Sequence, residues 1–376
     1  MLIIFKKILA VVFLFFSFSF VTYGISEAEI SAASAVLMDA DTGEILFQKN
    51  AYTRRSMAST TKIMTALIAV ESEKLNDIVT VKEKIYIEGT SLGLSKGDKM
   101  TLETLCYGML LESGNDAAVL TGIYLSGSEE NFSKLMNKKA AEIGMKNSNF
   151  VTASGLDDAE HYTTAYDMAL LGSYAVKNEK FRDICSAKTY RAEYITPVQT
   201  RYFSNHNRLL NSCEGVIGVK TGFTKKSGRC LVSACEREGK LLVAVTLNAP
   251  DDWNDHRELY EYGYSLYETV DFNKKTTDCV CVTGSLKSRI GVDYIGTKSE
   301  TVKSEAEIQC KTFLKKFYYA PIKKNDILGK TVIYQNGFPL TEQLIVAAED
   351  ASSVKEKDAD LWQRFITYFE NLFKGR

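Results

Sequence analysis

The stretch Ser59-Thr60-Thr61-Lys62 decides how this chain is read. It sits between a polar segment, Thr53-Arg54-Arg55-Ser56-Met57-Ala58, and an apolar run, Ile63-Met64-Thr65-Ala66-Leu67-Ile68-Ala69-Val70. That junction predicts a helix N-terminus, with the helix reaching about Lys74. Backbone N–H groups are unpaired at such a terminus, and the positive end of the helix dipole lies beneath them. Lys62, three residues after Ser59, stands one turn up on the same face. A serine hydroxyl is a weak nucleophile at neutral pH, and a lysine kept neutral by partial burial can take its proton. The four residues thus hold a nucleophile and a base. An N-cap serine would leave the same local signature. Ser352-Ser353-Val354-Lys355 repeats the spacing in a polar stretch with no helix behind it. The rest of the chain has to decide.

Working outward, Ala35-Val36-Leu37-Met38 and Glu44-Ile45-Leu46-Phe47 read as strands around the turn sequence Asp39-Ala40-Asp41-Thr42-Gly43. Gly93-Leu94-Ser95-Lys96-Gly97 matches G-x-S-x-G, but no apolar strand leads in and Gly97-Asp98-Lys99 separates it from any helix, so it reads as a surface loop. Thr101 is expected to cap a helix through Leu111. The loop Glu112-Ser113-Gly114-Asn115-Asp116 and a helix from Ala117 to Leu125 follow. Ser128 opens the next helix and Gly144 ends it; Thr163 is expected to cap another, from Ala165 to Val176. Ala187 to Gln199 is strand-like. Val216 to Gly222, Leu231 to Ala234 and Leu241 to Leu247 read as an antiparallel meander, and Asp251-Asp252 precede a last helix to about Tyr267. The expected class is α/β of the α+β kind: an antiparallel sheet flanked by helices, with a helical insertion.

After Phe272 short β-rich runs alternate with turns, predicting a small all-β domain over 273–346. A charged linker is expected over 347–360. In the final segment, 361–376, Leu361, Trp362, Phe365, Ile366, Phe369, Leu372 and Phe373 fall within about 140° of a helical wheel. This is the pattern of an amphipathic tail helix lying on a membrane; a helix docked on its own body is the alternative. At the other end, 1–24 reads as a signal peptide: Lys6 and Lys7, the apolar run Ile8 to Val21, then small residues to Gly24. Cleaved or kept as an anchor, it places the working body, 25–272, outside the cytoplasm. The 376 residues are 45% hydrophobic and 25% charged with net charge −1, which does not suggest a general nucleic-acid binder. The three histidines, His161, His206 and His256, have no metal-ligand spacing. The eight cysteines show no zinc pattern and are expected to be mostly free or buried thiols.

Three polar groups would have to meet if Ser59 is a nucleophile. The loop Ser113-Gly114-Asn115 offers a hydroxyl that can relay a proton and a carboxamide that can hold a carbonyl. Lys220-Thr221-Gly222 offers a cation and a hydroxyl for a small carboxylate, then a residue with no side chain in the way. The N–H groups of Ser59 and Phe223 suit an oxyanion hole. Each piece alone is an ordinary turn or strand end. The weight lies in their order: helix start, interhelical loop, strand, in an exported chain.

Ser59-Thr60-Thr61-Lys62, Ser113-Gly114-Asn115 and Lys220-Thr221-Gly222 together match the motif set shared by penicillin-binding proteins and class A β-lactamases. From about Ala32 to Phe272 the chain resembles the low-molecular-mass penicillin-binding proteins, the serine-type D-alanyl-D-alanine carboxypeptidases. Ser34 to Lys49, Leu110 to Ala118, Ser154-Gly155-Leu156-Asp157, Tyr166 to Leu170 and Asn207-Arg208-Leu209-Leu210 carry the likeness beyond the motifs. The resemblance implies a β-lactamase/transpeptidase-like catalytic domain in which Ser59 forms an acyl-enzyme with a peptidoglycan stem peptide. Lys62 would be the base and Ser113 would help protonate the leaving D-alanine. Lys220 and Thr221 would bind the terminal carboxylate and Asn115 the acyl side. Penicillins would acylate Ser59, no metal or cofactor is implied, and the enzyme would face the cell wall. Members often carry a basic residue where His206 stands, so Arg208 and Arg257 are further candidates for the carboxylate. The class A β-lactamase alternative lacks its glutamate: the E-x-x-L-N position before Leu75-Asn76 is Ser72. An endopeptidase or transpeptidase of the same fold stays open, as does a non-catalytic envelope-binding protein.

Overall fold

The computed structural model describes residues 24–272, 276–353 and 365–367. Strands β1 (Ser34–Asp39) and β2 (Ile45–Lys49) form the expected hairpin. A 3-10 turn, Ala58–Thr61, leads into α1 (Lys62–Glu71). The short strands β3 (Ile78–Thr80) and β4 (Lys99–Thr101) pair antiparallel. The helical part follows: α2 (Leu102–Leu111), α3 (Asn115–Ser126), α4 (Glu129–Ile143), α5 (Ala165–Val176) and α6 (Glu179–Ser186). The hairpin of β5 (Thr189–Tyr194) and β6 (Gln199–Ser204) and the single turn α7 (Leu209–Ser212) lead to the meander β7 (Val216–Thr224), β8 (Gly228–Arg237) and β9 (Lys240–Leu247). Helix α8 (Asp252–Ser265) closes this part.

These strands make one antiparallel sheet in the order β2-β1-β9-β8-β7. Alternation along β9 shows how it is filled on both sides. Val243, Val245 and Leu247 join a core with α1, α2 and α5, whereas Leu242 and Ala244 pack with Leu259 and Tyr260 of α8. The outer strand β7 borders the 3-10 turn that carries Ser59.

Local chemistry sets most helix ends. Thr101 Oγ1 accepts the Thr104 N–H, Ser128 Oγ accepts the Asn131 N–H, and Gly144 ends α4 at φ 92°. The cap of α5 is Thr164, one residue later than expected, because the Thr163 backbone is paired with Arg55. Helix α3 starts at Asn115 instead of Ala117, which puts Asn115 in its first turn. The strand-like stretch from Ala187 is two strands, β5 and β6, paired with each other. Helix α6 went unread in the sequence; among its charged residues only Phe181, Ile184 and Cys185 form a buried stripe, and Asn178 caps it.

Beyond α8, β10 (Tyr267–Asp271) is followed by β11 (Cys279–Thr283), β12 (Arg289–Gly296), β13 (Ser299–Lys303), β14 (Ile308–Leu314), β15 (Tyr318–Tyr319), β16 (Ile327–Gln335) and β17 (Phe338–Ala347). Six of these form a sheet ordered β14-β16-β17-β12-β11-β15, and β10 pairs with β13. The all-β part runs past its expected end at 346. Ala347 pairs with Val292, the fully buried Ala351 bridges Ile322, and Ser353 bridges Ser285. The charges that suggested a linker from 347 are pinned at the surface: Glu349 on Lys287, and Asp350 Oδ1 on the Lys324 N–H. The stretch read as a signal peptide, apart from Gly24, and most of the segment read as a tail helix lie outside the described residues; Phe365, Ile366 and Thr367 are helical. Among the described residues no helix is long and apolar enough to cross a membrane. All eight cysteines are free, and Cys106, Cys185, Cys230 and Cys235 are buried.

Candidate active site

Lys62 is the first residue of α1 and is fully buried. Its Nζ lies 2.8 Å from Ser59 Oγ, 2.7 Å from Asn115 Oδ1 and 2.6 Å from the Ser154 carbonyl. The last two can only accept. A neutral amine has two hydrogens for them and one lone pair left over, and that lone pair meets the Ser59 hydroxyl, which can donate. Burial holds the Lys62 pKa well below the usual lysine value; the nearby Lys220 acts in the same sense and Asp116 opposes it. The same-face relation of Ser59 and Lys62 holds although Ser59 sits in the 3-10 turn just before the helix.

The carboxamide of Asn115 is engaged with protein. Oδ1 faces Lys62 and Nδ2 donates to the Glu88 carbonyl at 2.6 Å. It therefore orients the Lys62 amine. The neighbouring Asp116 accepts from Ser91 Oγ, Leu92 N–H and Leu94 N–H and ties the 91–94 segment to the start of α3. The G-x-S-x-G stretch is a loop, with no helix opening after it. Ser113 occupies the turn between α2 and α3 at φ 62°. Beside it, Glu112 accepts the Ser204 N–H at 2.6 Å and lies 3.5 Å from the half-exposed His206 ring.

Strand β7 supplies the opposite wall. Lys220 is buried and donates to the Thr221 carbonyl at 2.9 Å; desolvation pulls its pKa down to about 7. A Cβ at Gly222 would stand 3.0 Å from the Ser59 nitrogen and 3.1 Å from the Thr60 nitrogen, so the strand passes directly over the Ser59 amide. The Phe223 side chain is exposed, while its backbone continues along the same edge. The structure does not bring Arg257 to this place: it lies on α8, across the sheet, bonded to Asn254. Arg208 is exposed on the turn before α7.

Sequence reasoning missed two supports. The first is the Ser154-Gly155 backbone. Its carbonyl holds Lys62, and a Cβ on Gly155 (φ +84°) would fall 2.0 Å from the Ala58 carbonyl oxygen. A carbonyl leaves no trace in residue identity; the only available signal was the glycine itself. The second is His161. Its Nδ1 accepts the Val151 N–H at 2.9 Å, so the ring proton is on Nε2, which donates to Thr61 Oγ1 at 2.8 Å. Thr61 Oγ1 in turn donates to the Ala58 carbonyl at 2.9 Å. Burial pushes the His161 pKa down to about 4, so the ring is neutral and serves as a fixed donor to the Ser59 turn.

Residues 22–251 match the family Peptidase S11, described as D-alanyl-D-alanine carboxypeptidase. The chain is 34% identical over 343 residues to the D-alanyl-D-alanine carboxypeptidase DacF of Bacillus subtilis, covering 86% of this chain and 87% of that protein. Penicillin-binding protein 5 of Haemophilus influenzae is similar in structure, with a TM-score of 0.62 and 27% identity over 88% of this chain and all of that one (100%). So is penicillin-binding protein D2 of Listeria monocytogenes in its ampicillin-bound form, with a TM-score of 0.58, 29% identity, and 64% and 100% of the two chains covered.

Proposed function

Because this chain belongs to the Peptidase S11 family of D-alanyl-D-alanine carboxypeptidases, we propose that Ser59 is the residue through which it performs that family's acyl-enzyme chemistry. The protein is a serine hydrolase of D-alanyl-D-alanine carboxypeptidase and penicillin-binding type. Its substrate in this reading is a peptidoglycan stem pentapeptide. Ser59 Oγ attacks the carbonyl carbon between the two terminal D-alanines while Lys62 Nζ takes the hydroxyl proton. The tetrahedral oxyanion points at the N–H groups of Ser59 and Phe223. Collapse breaks the C–N bond, and the proton reaches the leaving D-alanine amine by way of Ser113. Water then hydrolyses the ester, with Lys62 again as base.

The observation that carries the reading is the ligation of Lys62: two acceptors take its hydrogens and leave the lone pair to Ser59. Lys220 and Thr221 bind the terminal carboxylate, and Gly222 lets the peptide lie against β7. A carboxylate arriving at Lys220 restores a charge that burial disfavours. Asn115 holds the base and, through its remaining amide hydrogen, the acyl side of the substrate. β-Lactams fit the same site as acylating mimics, in keeping with the ampicillin-bound relative. The enzyme works outside the cytoplasm after export by segment 1–24. The domains in this reading are a catalytic unit over 25–272, an all-β unit after it, and segment 361–376 resting on the membrane.

Mass spectrometry after exposure to penicillin, with D-alanine release from a pentapeptide on the same samples, tests this. A penicilloyl adduct on Ser59 with release is expected, and neither in Ser59→Ala. An adduct without release would point to a transpeptidase or endopeptidase. No adduct would overturn the nucleophile and leave an envelope-binding protein.

A further inference from the structure

One end of the all-β unit gathers three segments. Thr283 pairs with Tyr319, the Ala320 N–H bonds the Thr283 carbonyl, Ile322 bridges Ala351, and Ser285 bridges Ser353. The β11–β12 turn, residues 315–324 and the last described residues before the tail therefore share one surface. Its apolar residues point outward. Leu286 is 93% exposed, Tyr319 69% and Phe317 48%, and the Phe317 and Tyr319 rings touch with centroids 5.5 Å apart. Between them Tyr318 turns inward, its hydroxyl bonded to the Leu328 carbonyl. The outward pair is thus a consequence of strand alternation about a buried tyrosine. Lys315, Lys316, Lys323 and Lys324 ring the same segment, all exposed, and their side chains form no ion pair among the described residues.

We propose that this end of the all-β unit is a second membrane-contact surface, which seats Phe317, Tyr319 and Leu286 in the interfacial layer and sets the four lysines against anionic lipid headgroups. Two observations select a lipid surface as the occupant. Exposed rings among unpaired lysines are what the headgroup layer accepts: aromatic bodies at the apolar boundary, ammonium groups in the phosphate plane. The position of the tail is the other. The chain leaves the described body at Ser353, against Ser285 and one residue from Leu286. The seven residues 354–360 can span at most about 25 Å before segment 361–376 begins. A tail lying on a membrane keeps this surface within that reach, so the inference rests on the tail reading for proximity while assigning contacts that the tail does not make.

The test uses the full exported chain and phosphatidylcholine vesicles with or without phosphatidylglycerol, reading partition by sedimentation and backbone hydrogen exchange by mass spectrometry. Exchange over 283–289 and 315–324 is expected to slow on vesicles containing phosphatidylglycerol. Phe317→Ser with Tyr319→Ser should weaken partition about tenfold. Replacing the four lysines by serine should remove the preference for phosphatidylglycerol, about fivefold for each lysine. Penicillin labelling of Ser59 at the parental rate shows that each variant is folded. If the wild type binds while both patch variants bind equally well and exchange over 315–324 is unchanged, the proposal is overturned and the tail alone holds the membrane. If the wild type binds neither kind of vesicle, the tail reading falls as well.

Discussion

Lys62 Nζ lies 2.8 Å from Ser59 Oγ, shut off from solvent, with Asn115 Oδ1 and the Ser154 carbonyl taking its other two bonding directions. In that pocket a permanently charged group cannot act as a base, whatever its reach. Lys62→Arg should therefore fold and yet acylate about 100- to 10,000-fold more slowly, the range that loss of a positioned general base produces. Stopped-flow acylation by a fluorescent penicillin measures it. Acylation within a few-fold of wild type would remove Lys62 from the role of base.

The same geometry predicts a pH dependence. Acylation needs the free amine, so its rate should rise with pH through the Lys62 pKa, which burial has lowered. Asn115→Asp places a carboxylate 2.7 Å from Nζ in place of a neutral oxygen. That favours the ammonium and moves the inflection to higher pH. Each unit of displacement beyond the assay pH lowers the reactive fraction about tenfold. The variant should be slow near neutrality and recover toward wild type in alkali, stopping short by what the lost amide hydrogen gives the acyl side. A parallel loss at every pH would show that Asn115 acts on the substrate and leaves the amine untouched.

Gly222 and Gly155 both press on the Ser59 turn, and they should fail differently. Gly222 needs no left-handed conformation; an added methyl meets the Ser59 and Thr60 amides at 3.0 and 3.1 Å. Gly222→Ala should hold its thermal midpoint and lose acylation about 100-fold, because the reacting carbonyl is displaced from the amide. Gly155 adopts φ +84° with the Ala58 carbonyl 2.0 Å from a would-be Cβ. Gly155→Ala combines left-handed strain with a backbone clash and should cost more than about 2 kcal/mol in denaturation.

What the sequence disclosed follows from what each residue has to do locally. Ser59 and Lys62 were readable because a polar pair at helical spacing sat at the head of an apolar run, and the caps Thr101, Ser128 and Gly144 because capping is done by residue type. Helix α6 was hidden by its charge; three buried side chains are too few to fix a period. The function of Ser154 was invisible because a carbonyl has no residue identity, and the His161–Thr61–Ala58 relay because the histidine lies 100 positions from its partner. Asn115 was placed on the substrate from its donor and acceptor capacity, and only the fold shows that Lys62 takes its oxygen and Glu88 one of its two amide hydrogens. The end of the all-β unit was drawn too early because Glu349 and Asp350 look like linker residues until their partners are seen.

Lys220 offers a separation of function from stability. Burial lowers its pKa to about 7 against an ordinary value of 10.5. Below about pH 7 the lysine is protonated in both folded and unfolded chains, and the folded state carries the full cost of a buried charge. Between that pH and about 10.5 only the unfolded chain holds the proton, so the unfolded state binds more protons and this group's contribution to stability rises with pH. Lys220→Met keeps most of the stem and removes the charge. It should be more stable than wild type near pH 6, by a few kcal/mol, with the gain shrinking steadily toward about pH 10. Comparing the two proteins cancels the buried thiols Cys106, Cys185 and Cys230, whose raised pKa values work in the opposite direction in alkali. The same variant should lose D-alanine release chiefly through a higher KM, since the carboxylate loses its cation. Urea denaturation across the pH range decides the first point. A gain that does not change with pH would mean that packing sets it, and that Lys220 keeps its proton in the folded chain as it does in the unfolded one.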